Sequence, residues 1–211
     1  KIGMNSKALT KEASCLKDFA KHAVAEVIAD DTNMIIMQQA VPGSTLKDYF
    51  PGNDIDATKI LCASIKELHN ASIPKNHHFY HLRELFKTLD QKLDIPDEIL
   101  SKAKHLRDKL LSTKTKEVLL HGDLHHDNIL KNGDSWVVID PKGFIGDPAF
   151  EPAAYLCNPI PELLQENQPR DIIENRINIC SAELDINSHR IADWLYAKSA
   201  LCWAWSLEVG H

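Results

Sequence analysis

His121-Gly122-Asp123-Leu124-His125-His126-Asp127-Asn128-Ile129-Leu130, HGDLHHDNIL, holds six side chains able to bind a metal, carry a proton or orient a phosphate. Two chemistries compete for it. Packed His and Asp residues mark zinc hydrolases, whose loops take the form H-x-H-x-D-H. Here Asp123 stands in place of the second His, and no later His falls at a strand end to complete a second metal site. The other spacing runs from Asp123 to Asn128, five residues on, and to Asp140, twelve further, at the end of an apolar strand. Kinases use this order: a loop Asp beside the attacking hydroxyl, an Asn on one Mg2+, and an Asp on the magnesium that bridges the phosphates. The residue types have chemical reasons. Magnesium is a hard cation that takes oxygen ligands, so Asn and Asp suit it and imidazole does not. A carboxylate beside a hydroxyl that is losing its proton supplies general-base help.

Downstream, Asn132-Gly133-Asp134-Ser135 separates the apolar residues 129–131 and 136–139. Asn-Gly between apolar runs predicts a hairpin, and antiparallel pairing would bring Asn128 and Asp140 side by side. Upstream, Leu9, Leu16 and Phe19 fall near helical spacing behind Ser6, so residues 6–20 read as a helix. Residues 26–28 and 34–37 flank the turn-rich Asp30-Asp31-Thr32-Asn33 and read as antiparallel strands. Pro42-Gly43 ends that pairing, and residues 40–44 read as a linker. Residues 56–69, 81–93, 96–111, 171–184 and 188–208 carry helical periodicity. Trp194, Trp203 and Trp205 in the last of them are expected in the core rather than as a stacking platform. The fold class is therefore α/β (α+β), a short mixed segment followed by a mainly helical block.

Bulk properties narrow the function. At 211 residues, 44% of them hydrophobic, the chain is long enough to bury a full core. A net charge of −6 without any long basic block argues against a nucleic-acid partner. The five cysteines are odd in number and widely spaced, with no C-x-x-C. They suggest neither a disulfide framework nor a zinc ribbon, and fit a reducing cytoplasm. No apolar run approaches the ~20 residues of a spanning helix, so no membrane partner is expected.

HGDLHHDNIL followed by VVIDPKGFIGDPAFEPAAYLCNP, residues 137–159, resembles the aminoglycoside phosphotransferase family, and within it the streptomycin 6-kinase and hydroxyurea-kinase branch. The resemblance implies a protein-kinase-like fold of two lobes, with ATP as donor, Mg2+ as cofactor, a small-molecule acceptor phosphorylated on a hydroxyl, and a role in antibiotic resistance. It makes Asp123 the catalytic base, Asn128 and Asp140 the magnesium ligands, and His121 a partner that fixes the loop. Lys1-Ile2-Gly3 resembles the end of the family strand whose Lys grips the α- and β-phosphates, and Glu12 resembles its ion-pair partner. Gln38, Gln39 and Ala40 would offer backbone groups to adenine.

Lys142 is expected either to neutralise the γ-phosphate or to pair with Glu151, and Asp147 to cap the helix behind it. His125, His126 and Asp127 read as loop fillers. Asp193 and Glu208 are candidates for holding a cationic guanidine or amine. Residues 1–41 would form a partial N-terminal nucleotide-binding lobe ending at a hinge, and residues 42–211 a helical catalytic and substrate lobe. In the family, the first strands of the small lobe and the loop over the phosphates precede the position of Lys1. A start at Lys rather than Met reads as a fragment. The alternative is a kinase-like relic that binds small molecules without turnover.

Overall fold

Residues 1–2, 6–20 and 22–208 are described in the computed structural model of the chain. The periodicity behind Ser6 gives α1 (Ser6–Asp18). Its Leu9 and Ala13 pack with Ile35 in a small separate cluster, while Cys15 joins the main core together with Phe19 just past the helix end. The turn at residues 31–34 folds β1 (Val27–Asp30) onto β2 (Ile35–Met37), with Asp30 opposite Ile35. The chain start runs along the other side of β2. Lys1 and Ile35 exchange backbone hydrogen bonds of 2.8 and 2.9 Å, and Ile2 bridges Met34. Gly3, the third residue of the expected strand end, lies outside the described residues.

The chain continues with β3 (Pro42–Thr45), α2 (Asp54–Leu68), β4 (Tyr80–His81), α3 (Leu82–Leu85), α4 (Asp97–Ser112), β5 (Val118–Leu120), β6 (Ile129–Asn132), β7 (Ser135–Val138), β8 (Phe144–Gly146), α5 (Ala153–Leu156), α6 (Glu162–Gln165), α7 (Pro169–Leu184) and α8 (Ser188–Glu208). Among the described residues two three-stranded sheets carry the middle of the molecule, β3-β6-β7 and β4-β8-β5. Helix α2 packs against β7 and α7, and α8 packs against α4 and α7. None of the described helices is long and apolar enough to cross a membrane.

Two expectations need correction. Residues 40–44 are not simply a linker, because Pro42–Thr45 pairs antiparallel with β6. Proline lacks a donor, but β3 is an edge strand and starts with it, which is where a sheet tolerates one. Around that point the Asn132 side chain accepts from Val41 N–H at 3.2 Å, and Val41 O accepts from Gly133 N–H at 2.7 Å. The helix expected over residues 81–93 is instead a strand, one α-turn and a 3-10 helix, Phe86–Asp90. Pairing of Tyr80 and His81 with β8 claims its start, and the His81 ring accepts from Arg83 N–H at 2.9 Å. Leu82, Phe86 and Leu89 are buried all the same, so their near-helical spacing is met by the two short turns.

The core of the helical block is aromatic. Trp194 is buried against Phe86 and Phe150, with ring centroids 5.3 and 5.4 Å away. Asp147 does cap the turn behind it, accepting from Ala149 N–H at 3.0 Å, but it also takes Trp194 Nε1 at 2.6 Å and Arg190 Nε at 2.7 Å. Trp205 is half-buried, whereas Trp203 is exposed on the opposite side of α8, against expectation.

His126 is more than a loop filler. Its ring is buried and stacked on Tyr155 at a centroid distance of 4.0 Å, and neither nitrogen has a hydrogen-bond partner among the described residues. Burial, followed by the nearby Arg176 charge, pushes its pKa down to about 2. The unfolded chain therefore takes up a proton below about pH 6.5 that the folded chain refuses, and stability falls with pH from there. His126→Phe keeps the stack and removes the unpaired atoms. It is expected to add about 1 kcal/mol at neutral pH, roughly 2–4 °C in Tm, and to flatten the decline of Tm between pH 7 and 5. Thermal unfolding across that range checks both effects.

Candidate active site

Buried strand β5 delivers His121 into the interior. Its Nδ1 accepts from Asp123 N–H at 3.2 Å, so Nε2 carries the proton that goes to Ile139 O at 2.8 Å. Burial outweighs the neighbouring Glu151 charge and keeps its pKa below the ordinary value, so the ring stays neutral. His121 thus ties the loop to the far end of the hairpin. Next to it, Gly122 has φ +83°, and a Cβ there would meet the Phe144 ring at 2.3 Å, so only glycine fits.

Glu151 secures the same loop from behind. It is almost fully buried, and its two oxygens accept from His121 N–H at 2.8 Å and Gly122 N–H at 2.9 Å, with His69 Nε2 at 3.3 Å. Burial opposes its ionisation, but the His69 hydrogen bond and charge, with His121 and the Gly122 amide, hold its pKa below the usual range. The sequence offered Glu151 only as a partner for Lys142. That pairing does not form.

The expected hairpin forms, with Ile129 opposite Val138 and Asn132 opposite Ser135. A hydrogen bond of 3.1 Å from Ile139 N–H to Asn128 O closes its open end, so Asn128 and Asp140 flank one junction. The Asn128 amide nitrogen donates to Asp123 O at 2.9 Å and lies 3.2 Å from His125 Nε2, and no donor is paired with its Oδ1 among the described residues. Asp140 sits at φ +59°, in the left-handed region that side chains other than glycine seldom adopt.

Lys1 Nζ lies 2.8 Å from Glu12 and 2.9 Å from Asp140, and Lys142 Nζ lies 3.7 Å from Asp123. Against burial, Lys1, Glu12 and Lys142 together keep Asp140 below the usual Asp range, while burial pushes Glu12 up. Lys1 therefore bridges Glu12 and Asp140, while Lys142 faces Asp123.

Two cavities are bordered by these residues. One, of about 590 Å³, is bordered by Lys1, Gln38, Gln39, Ala40, Leu130 and Ile139. The other, of about 380 Å³, is bordered by Glu12, Asp123, Lys142, Phe144, Lys198 and Trp205. The Lys1–Glu12 pair stands between them. The imidazoles of the loop diverge: His121 faces Ile139, His125 accepts from Asp127 N–H at 3.3 Å, and His126 stacks on Tyr155. Among the described residues no group of three or more His, Cys, Asp or Glu is placed to hold a metal by itself. Asp193 is engaged by Lys109 at 3.0 Å, and the Glu208 side chain lies outside the described residues.

Residues 17–210 match the model of the aminoglycoside/hydroxyurea antibiotic resistance kinase family. The chain belongs to that family. It is 30% identical over 192 residues to streptomycin 3''-kinase of Klebsiella pneumoniae, covering 88% of this chain and 71% of that one. It is 28% identical over 93 residues to streptomycin 6-kinase of Streptomyces griseus, covering 44% of this chain and 30% of that one. Solved structures give the same fold. An amicoumacin kinase in complex with AMP-PNP, Ca2+ and Ami aligns with a TM-score of 0.68 at 14% identity, over 99% of this chain and 72% of that one. An aminoglycoside phosphotransferase of Streptomyces rimosus aligns with 0.66 at 16% identity, over 96% and 84%. The fold is protein-kinase-like, and this family member is a small-molecule phosphotransferase.

Proposed function

We propose that this kinase transfers the γ-phosphoryl group of ATP, with Mg2+, to a hydroxyl of an aminoglycoside of the streptomycin type or of hydroxyurea, and so confers resistance in the cytoplasm. One observation carries the reading. Asp123 opens into one cavity while its backbone oxygen holds Asn128 beside Asp140, next to the cavity that Lys1 borders.

In this reading residues 1–41 belong to the nucleotide lobe and residues 42–211 to the acceptor lobe. The backbone of Gln38, Gln39 and Ala40 binds adenine, and Lys1, oriented by Glu12, reaches the phosphates. Asn128 Oδ1 and the Asp140 carboxylate fit magnesium, since both are hard oxygen donors at one junction. Held by these two residues, magnesium would supply positive charge to offset that of the nucleotide phosphates. Asp123 accepts the proton of the acceptor hydroxyl. Lys142, 3.7 Å from it, stabilises charge on the phosphoryl group as it crosses.

A coupled ADP-release assay on the full-length polypeptide, with streptomycin and hydroxyurea as acceptors, tests this directly. Asp140→Asn is expected to cut turnover by about 100-fold or more and to raise the magnesium concentration needed for half-maximal rate. Unchanged magnesium dependence would remove Asp140 from the metal site. Stoichiometric zinc in protein purified without chelators would overturn the choice of metal.

A further inference from the structure

Lys198, on α8, is only 7% exposed and borders the cavity that holds Asp123. No carboxylate or carbonyl is paired with its ammonium among the described residues. Its described contact is the Phe150 ring, 5.5 Å from Nζ. The stem is buried while Nζ itself keeps contact with solvent, so the ammonium is available to whatever fills the cavity.

Most of the other charges of the cavity have partners, although Glu12 Oε1 has none among the described residues. Glu12 holds Lys1, Asp123 faces Lys142, and Lys11 lies over the Tyr80 and Phe144 rings at 5.0 and 4.7 Å. On α8, Lys198 is the cavity-lining ammonium without a carboxylate partner among the described residues, with Trp205 and Phe144 supplying apolar faces. An ammonium or guanidinium pushed in here would meet a like charge. An uncharged or anionic oxygen would complete the site.

Resting on the kinase reading, we infer that Lys198 determines acceptor specificity by donating a hydrogen bond to a carbonyl or hydroxyl oxygen of the acceptor. The acceptor enters with an uncharged, oxygen-rich end beside Asp123 and keeps its cationic groups outside the cavity. Hydroxyurea presents such oxygens, and so does a sugar hydroxyl of an aminoglycoside.

The test compares Lys198→Met and Lys198→Arg in the full-length enzyme, with whichever of streptomycin and hydroxyurea the parent enzyme phosphorylates. Lys198→Met should raise acceptor KM about tenfold, the weight of one hydrogen bond to a charged group. The KM for ATP should stay put, kcat at saturating acceptor should be largely kept, and Tm should be close to that of the parent, because methionine keeps the buried stem. Lys198→Arg should recover most of the acceptor KM. An unchanged acceptor KM in Lys198→Met, an equal rise in the KM for ATP, or an arginine variant no better than the methionine one would each overturn the inference and leave the kinase reading intact. A parent enzyme that phosphorylates neither compound would remove both.

Discussion

Asp123→Ala should lower turnover by roughly 10²–10⁴-fold, the usual weight of a positioned general base, while ATP binding stays near its parent value. Two observations support so clean a separation. The side chain borders the cavity opposite the one bounded by Lys1 and residues 38–40. The bond that fixes Asn128 comes from the Asp123 backbone oxygen, which alanine retains. Single-turnover kinetics paired with calorimetric ATP titration measures both quantities. Residual turnover within a few-fold of the parent would exclude Asp123 as the base, whatever happened to the affinity.

Glu151→Ala carries the largest expected effect on stability, about 3–5 kcal/mol by urea unfolding. It leaves the buried N–H groups of His121 and Gly122 without their acceptor. Since those amides start the loop that holds Asp123, activity should fall as well. Glu151→Gln retains one acceptor oxygen and should lose less. The sign of the pH effect follows from the depressed pKa. The stability contributed by the carboxylate is fully present above the unfolded value of about 4.3 and is lost as pH falls through the lower folded value. Acid unfolding of Glu151→Gln should therefore be shallower than that of the parent. A loss under about 1 kcal/mol for Glu151→Ala would mean that water replaces the carboxylate.

The hairpin and the junction of Asn128 with Asp140 were legible in the sequence because Asn-Gly turn chemistry acts locally and fixes register. The strand at Pro42–Thr45 was not, since its pairing partner lies some ninety residues away and proline argues locally for a break. Residues 81–93 failed for the same reason: contact with β8 overrode a helical pattern. On α8 the signal was present but unused. At about 100° per residue, Trp205 falls on nearly the same side as Trp194, whereas Trp203 falls on the opposite one, as observed. That arithmetic also puts Lys198 one turn from Trp194, on the buried face, where a lysine calls for an explanation. Glu151 was visible as the acid of the G-D-P-x-x-E run, but its work lies in backbone amides thirty residues upstream, which no spacing rule reveals.

In the proposed mechanism, the hydrogen bond from the Asn128 amide to the Asp123 backbone would make base and metal ligand a single mechanical unit. Neither can shift to suit a larger or smaller acceptor without dragging the other out of register. Diversification toward new compounds would then be pushed onto the opposite wall, where α8 can exchange side chains while the chemistry stays frozen.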